Sequence, residues 1–251
     1  MCRHLAYLGG PVALGELLVR PPHALLRQAW APRTQSSGVV NADGFGVGWY
    51  ADGDPVPARY RRTGPIWGDL SFADLARVVR SGAVLGAVRG ATLPGADGEA
   101  AAAPFASGPW LFSHNGAVPG WPGSLTPLAA TLPAAELLGL EARTDSALLW
   151  ALVLHRLRAG RGPGDALAGT VLAVAEAAPG ARLNLLLTDG DRVAATAWGN
   201  SLWFLPGPGR VAVASEPYDD DPDWREVPER TLVTACRTDV ALTPIIEEPS
   251  A

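Results

Sequence analysis

The order in which two hydrophobic periodicities follow one another constrains this chain more than any single motif does. Short apolar runs bounded by glycine, proline or aspartate lie towards both ends, and two adjacent segments with helical spacing lie between them. Before the middle, residues 3–8, 45–51, 84–89 and 110–114 read as strands, and residues 22–30 and 71–80 as shorter helices. In the second of these, Ser71 is the expected N-cap and Leu75, Val78 and Val79 the expected apolar face. Residues 146–159 and 165–177 give the strongest helical signals. A meander of strands follows at 182–188, 192–198, 202–205 and 211–214, each bounded by turn residues. Strands, then paired helices, then strands imply an α+β sandwich and argue against alternating β-α-β units. The glycines of Gly44-Phe45-Gly46-Val47-Gly48 therefore do not make a dinucleotide site. They miss the Gly-x-Gly-x-x-Gly spacing, and they mark a strand approached closely by other backbone.

Composition removes several functions. All twenty basic residues are arginine, so chemistry that needs a lysine amine is excluded, including a Walker A loop, a Schiff base and a Ser–Lys pair. The net charge of −5 and the scattered arginines give no electrostatic footprint for nucleic acid. No apolar run approaches the roughly 18 residues of a membrane span, and Met1-Cys2-Arg3-His4 is too polar to open a signal segment. A cytoplasmic protein of one domain over residues 2–251 is expected. Cys2 and Cys236 and the four histidines show no metal-ligand spacing, so neither metal nor cofactor is expected, and a reducing compartment disfavours a Cys2–Cys236 disulfide.

Cysteine in second place can become the mature amino terminus once Met1 is removed. Its own α-amine, with an ordinary pKa of about 7.7–8.0, then lies within a few bonds of its thiol. That amine can accept the thiol proton and later return one to a leaving amine. No Gly-x-Ser-x-Gly elbow competes for the nucleophile's role.

Seven segments in order carry a resemblance: Met1-Cys2-Arg3-His4, Asp43-Gly44-Phe45-Gly46-Val47-Gly48-Trp49, Arg89-Gly90-Ala91-Thr92, His114-Asn115-Gly116, Thr144-Asp145-Ser146, Asn184 to Asp189, and Ala214-Ser215-Glu216-Pro217. Over positions 2–217 the chain resembles the class II glutamine amidotransferases, which are N-terminal-nucleophile hydrolases. The resemblance implies a four-layer αββα sandwich of two packed antiparallel sheets. It implies Cys2 as nucleophile and an oxyanion hole from the Asn115 side-chain amide and the Gly116 N–H. It also implies that Arg89 holds the substrate's α-carboxylate and Asp145 its α-ammonium, with Thr92, His114 and Arg3 as polar supports.

The chain departs from the family at Gly90, where many members have tryptophan, at Leu93-Pro94-Gly95, and at Ala103 before Pro104-Phe105. A smaller Gly90 and an altered loop over residues 91–109 widen the expected pocket mouth. Residues 218–251 form a tail too short for a synthase domain of ordinary size, so no such domain is expected within the chain. The phrases VVNADGFGVGWY, LFSHNGAVPGW and VASEPYDDDP further resemble an actinobacterial branch of the family that acts in ergothioneine biosynthesis. Its small-molecule substrate is a γ-glutamyl amide whose leaving group is larger than ammonia and bears a trimethylammonium. Trp30, Trp110 and Trp121 are the aromatic candidates for that cation. The alternative within the family is a glutaminase that supplies ammonia to a separate synthase.

Overall fold

The computed structural model describes residues 2–35, 38, 40–91 and 98–246. Two antiparallel sheets face one another. The first has seven strands in the order β11 (Arg225–Glu226), β9 (Trp203–Gly207), β10 (Arg210–Ala214), β1 (Cys2–Ala13), β4 (Arg80–Arg89), β2 (Gly44–Trp49) and β3 (Ala58–Arg62). The second has six: β13 (Val240–Pro244), β12 (Thr231–Cys236), β8 (Arg192–Ala197), β7 (Arg182–Thr188), β6 (Trp110–Ala117) and β5 (Phe105–Ser107). Helices α1 (Leu14–Leu18), α2 (Leu25–Gln28) and α3 (Leu70–Val78) cover the outer face of the first sheet. The outer face of the second is covered by α6 (Asp145–Arg158) and α7 (Pro163–Ala177), with the short α4 (Thr126–Ala129) and α5 (Ala134–Leu138) beside them. The fold is the αββα sandwich that the sequence led us to expect.

Period-two alternation decides which side chains enter which layer. In β1, Leu5 and Tyr7 join α1–α3 in the outer core, and Ala6 and Leu8 join the layer between the sheets. In β6, Phe112 packs under α6 while Leu111 meets Leu85, Leu186 and Val233 between the sheets. The inner face of β2 is glycine. A Cβ at Gly46 would overlap the Ala103 carbonyl, and one at Gly48 would strike Leu111 and Pro104. Removing those side chains lets the 101–105 segment lie against β2, where it walls the cavity described below.

Several boundaries differ from the sequence reading. The 22–30 helix contracts to Leu25–Gln28. In α3 the N-cap is Asp69, whose carboxylate accepts Phe72 N–H at 3.1 Å, and Ser71 lies within the first turn. Its buried face is Phe72 and Ala76, and Val78 is exposed, because the chain leaves the helix at Val79 and enters β4 directly. The 91–109 segment contains β5, which pairs with β6. Most consequentially, 218–251 is not a tail. It supplies β11, β12 and β13, and β12 pairs along its length with β8 while burying Leu232, Val233 and Ala235.

Candidate active site

Strand β1 starts at Cys2, and its register pairs Cys2 with Arg89 at the end of β4, which in turn pairs with Gly44 at the start of β2. Three strand ends therefore converge on one edge of the first sheet. The facing edge of the second sheet brings the end of β6 and the N-terminus of α6. Between them lies a cavity of about 490 Å³ lined by Cys2, Arg89, Gly90, His114, Gly116 and Asp145, among others. Five of the eight anticipated site residues thus share one cavity, and Arg3 is not among its lining. Asn115 does not line it, and Thr92 lies outside the described residues.

The Cys2 thiol is held above its ordinary pKa, chiefly by burial. The positive charge at the amino terminus, the Arg89 guanidinium and the Gly90 N–H oppose that shift, while Asp145 adds to it. Cys2 consequently rests as a thiol near neutral pH. Both Cys2 and Cys236 are free, and Cys236 sits on β12 outside the cavity.

Arg89 is braced by Asp43. Arg89 Nη1 donates to the Asp43 carbonyl at 3.3 Å, and Asp43 Oδ2 accepts the Ala91 N–H at 2.7 Å. Thr144 caps α6 by accepting from Ala147 N–H at 3.2 Å, as its position in the sequence implies. Asp145 is fixed from two sides, with Oδ2 accepting Val118 N–H at 3.1 Å and Oδ1 accepting Ser146 N–H at 2.7 Å. His114 contacts the Arg182 carbonyl through Nε2 and Ser146 Oγ through Nδ1, each at 2.9 Å. A carbonyl only accepts, so Nε2 is the donor and both ring nitrogens are committed to protein. A Cβ on Gly116 would collide with that same Arg182 carbonyl and with the His114 ring, which explains glycine at this position.

Asn115 and His4 lie between the sheets at the inner end of the site, and neither is among the residues that line the cavity. Asn115 Nδ2 donates to Ser215 Oγ at 3.2 Å. The His4 backbone N–H donates to the same oxygen at 3.0 Å, and its ring Nδ1 meets Ser113 Oγ at 3.2 Å. Arg3 points the other way, fully buried, with Nε donating to Gln35 Oε1 at 3.1 Å and Glu216 as its nearby counter-charge. Glu216 also accepts the N–H groups of Arg33 and Thr34, tying that loop to the end of β10. The Asn184 motif is a brace as well. Its Nδ2 donates to the Asn200 and Ser201 carbonyls, and Asp189 closes the β7–β8 turn.

Sequence reasoning passed over Asp43, Ser146, Arg143 and Ala101, although it named Ala103, the other alanine of the cavity wall, as a departure from the family. Asp43 and Ser146 stood inside the family motifs, whereas Ala101 carries no chemical signal. Of the three tryptophans considered, only Trp121 lines the cavity. Trp30 instead packs edge-on against Trp67 with centroids 5.3 Å apart, and the partly buried Trp110 packs against the core that α6 covers. Among the described residues no three His, Cys, Asp or Glu side chains come together as a metal cluster. No helix among them is long and apolar enough to cross a membrane.

Residues 24–207 match the family model for class II glutamine amidotransferases. A gamma-glutamyl-hercynylcysteine sulfoxide hydrolase of Mycolicibacterium smegmatis is 44% identical over 245 residues, covering 98% of this chain and all of that protein. The protein of that name from Mycobacterium tuberculosis is 43% identical, covering 97% of this chain and 96% of its own length. Among solved structures, a glutamine aminotransferase class-II domain protein from Silicibacter pomeroyi superposes with a TM-score of 0.71 at 26% identity, covering 98% of this chain and all of that one. The glutamine phosphoribosylpyrophosphate amidotransferase of B. subtilis shares the fold, with a TM-score of 0.68 at 16% identity over 98% of this chain and half of that one.

Proposed function

Because this chain belongs to the class II glutamine amidotransferase family, we propose that it hydrolyses the γ-glutamyl amide of γ-glutamyl-hercynylcysteine sulfoxide to glutamate and hercynylcysteine sulfoxide, a step in ergothioneine biosynthesis. The observation that carries this reading is a near full-length match to hydrolases of that name, in a chain whose Cys2 opens into a cavity with Arg89 and Asp145. We read residues 2–251 as one such domain. It acts in the cytoplasm on a small molecule, with no cofactor and no nucleic-acid partner.

Removal of Met1 frees the Cys2 amine. In its neutral form it takes the thiol proton, and the thiolate attacks the γ-carbonyl carbon. The oxyanion accepts from the Gly116 N–H and from the Nδ2–H of Asn115 that Ser215 does not engage. Collapse breaks the C–N bond, the Cys2 ammonium protonates the departing amine, and a γ-glutamyl thioester remains. Water, deprotonated by the same amine, resolves the thioester and returns the thiol. Arg89 pairs with the substrate α-carboxylate and Asp145 with its α-ammonium. His114 holds Ser146 and, through it, the start of α6. Thr92 remains a polar support in this proposal. Trp121 offers its face to the trimethylammonium of the leaving group.

Intact-protein mass spectrometry tests the scheme. The expected result is loss of Met1, then a γ-glutamyl adduct on Cys2 when substrate is added, and no turnover from Cys2→Ala. Full turnover by Cys2→Ala, or by protein retaining Met1, would refute it.

A further inference from the structure

The nucleophile and the proposed oxyanion donor stand on different sheets. Cys2 begins β1 of the first, and Asn115 is near the end of β6 of the second. Acyl transfer needs the two fixed relative to one another, since a displacement of about 1 Å at a reacting centre can cost roughly 100-fold in rate. The inter-sheet layer is mainly apolar, and apolar contacts are non-directional. They cannot by themselves set the orientation of an amide.

Ser215, just beyond β10, touches both sides. Its Oγ accepts the His4 N–H, two residues along β1 from the nucleophile, and the Asn115 Nδ2–H of the facing sheet. Its own N–H donates to the His4 carbonyl at 2.9 Å, so its backbone is clamped to β1. Its carbonyl accepts from Ser201 Oγ at 2.8 Å. Asn115 is steadied from behind as well, its carbonyl accepting Asn200 Nδ2 at 3.0 Å. Ser215 and Asn115 are both fully buried, so water does not replace either contact. Both lone pairs of Oγ are taken by N–H donors, which leaves one hydrogen of Asn115 Nδ2 uncommitted.

We propose that Ser215 is a positioning residue: a cross-sheet strut that orients the Asn115 amide relative to Cys2 and so sets the oxyanion hole. This rests on the reading of Asn115 as the oxyanion donor. It assigns a task to the Ala214-Ser215-Glu216-Pro217 motif, which lies outside the cavity lining.

The test compares Ser215→Ala, Asn115→Ala and the double variant, using γ-glutamyl-hercynylcysteine sulfoxide and glutamine as substrates. Removing the donor by Asn115→Ala is expected to lower kcat about 100- to 1,000-fold. Ser215→Ala is expected to lower it about 10- to 100-fold with KM unchanged, and Ser215→Thr, which keeps the hydroxyl, to recover most of the loss. In the Asn115→Ala background, Ser215→Ala should add nothing. Wild-type kcat in Ser215→Ala, or losses that multiply in the double variant, would overturn the proposal. Should Ser215→Ala fail to fold, Ser215→Cys puts a weaker acceptor in the same place and allows the same comparison. If Asn115→Ala keeps wild-type kcat, the donor assignment falls and the strut with it. Turnover of glutamine alone would remove only the substrate assignment, because the coupling is then read with glutamine.

Discussion

His4 shows how one buried side chain links the site to stability. Burial above all, then the charges of Arg3 and His114, lowers its pKa from 6.5 to about 3. The folded protein therefore keeps a neutral imidazole over a range in which the unfolded chain binds a proton. The resulting stabilisation is complete above pH 6.5 and is lost as the pH falls from there towards about 3. The slope from this one group approaches about 1.4 kcal/mol per pH unit. Urea unfolding followed from pH 7 to pH 4 should show that slope, and His4→Gln should flatten it. An unchanged slope in the variant would mean that other groups carry the acid sensitivity. The residue types at the site were legible in the sequence, since Cys2, Arg89, Gly116 and Asp145 occupy quoted motifs and share one cavity. That Asn115 rests on Ser215 was not legible, because 100 residues separate the partners.

At the scale of elements, periodicity located most strands and both long helices but misjudged their ends. The start of α3 is the instructive case. Ser71 and Asp69 are both acceptable caps by residue type. The chain enters the helix at Leu70, so the cap falls to Asp69, which also accepts from Tyr60 Oη at 2.8 Å. Asp69→Ala should cost about 0.5–2 kcal/mol, whereas Ser71→Ala on the exposed face should stay within about 0.5 kcal/mol. Thermal melts of the two variants distinguish them, and equal losses would return the cap to Ser71. Strand β12 is the other case. Thr231 to Cys236 lie in the segment that reads as a tail in the sequence, and only their pairing with β8 and β13 shows them to be interior to a sheet.

The whole molecule has three apolar layers, two beneath helices and one between the sheets. The cavity is bounded by the ends of strands from both sheets, so neither sheet can unfold and leave the site intact. Calorimetry is expected to give a single transition. Leu85→Ala in the middle layer should lower its midpoint as one unit, at a cost of about 2–5 kcal/mol. Two resolved transitions would divide the proposed single domain. A chain cut after Glu229 should fail to fold, because β8 would become an open edge and the apolar layers on either side would lose Leu232 and Val233.

The sequence by itself determined the class of fold and the family, and it put forward Cys2 as the candidate nucleophile and Arg89 and Asp145 as the candidate charges for a γ-glutamyl group. These depend on local period, on residue chemistry and on motif order. Tertiary structure alone decided which residues face the cavity, which tryptophan reaches it, and that β12 and β13 complete the second sheet. Those outcomes arise from register and from the packing of one sheet on another, where residues far apart in sequence compete for the same space and the same hydrogen-bond partner.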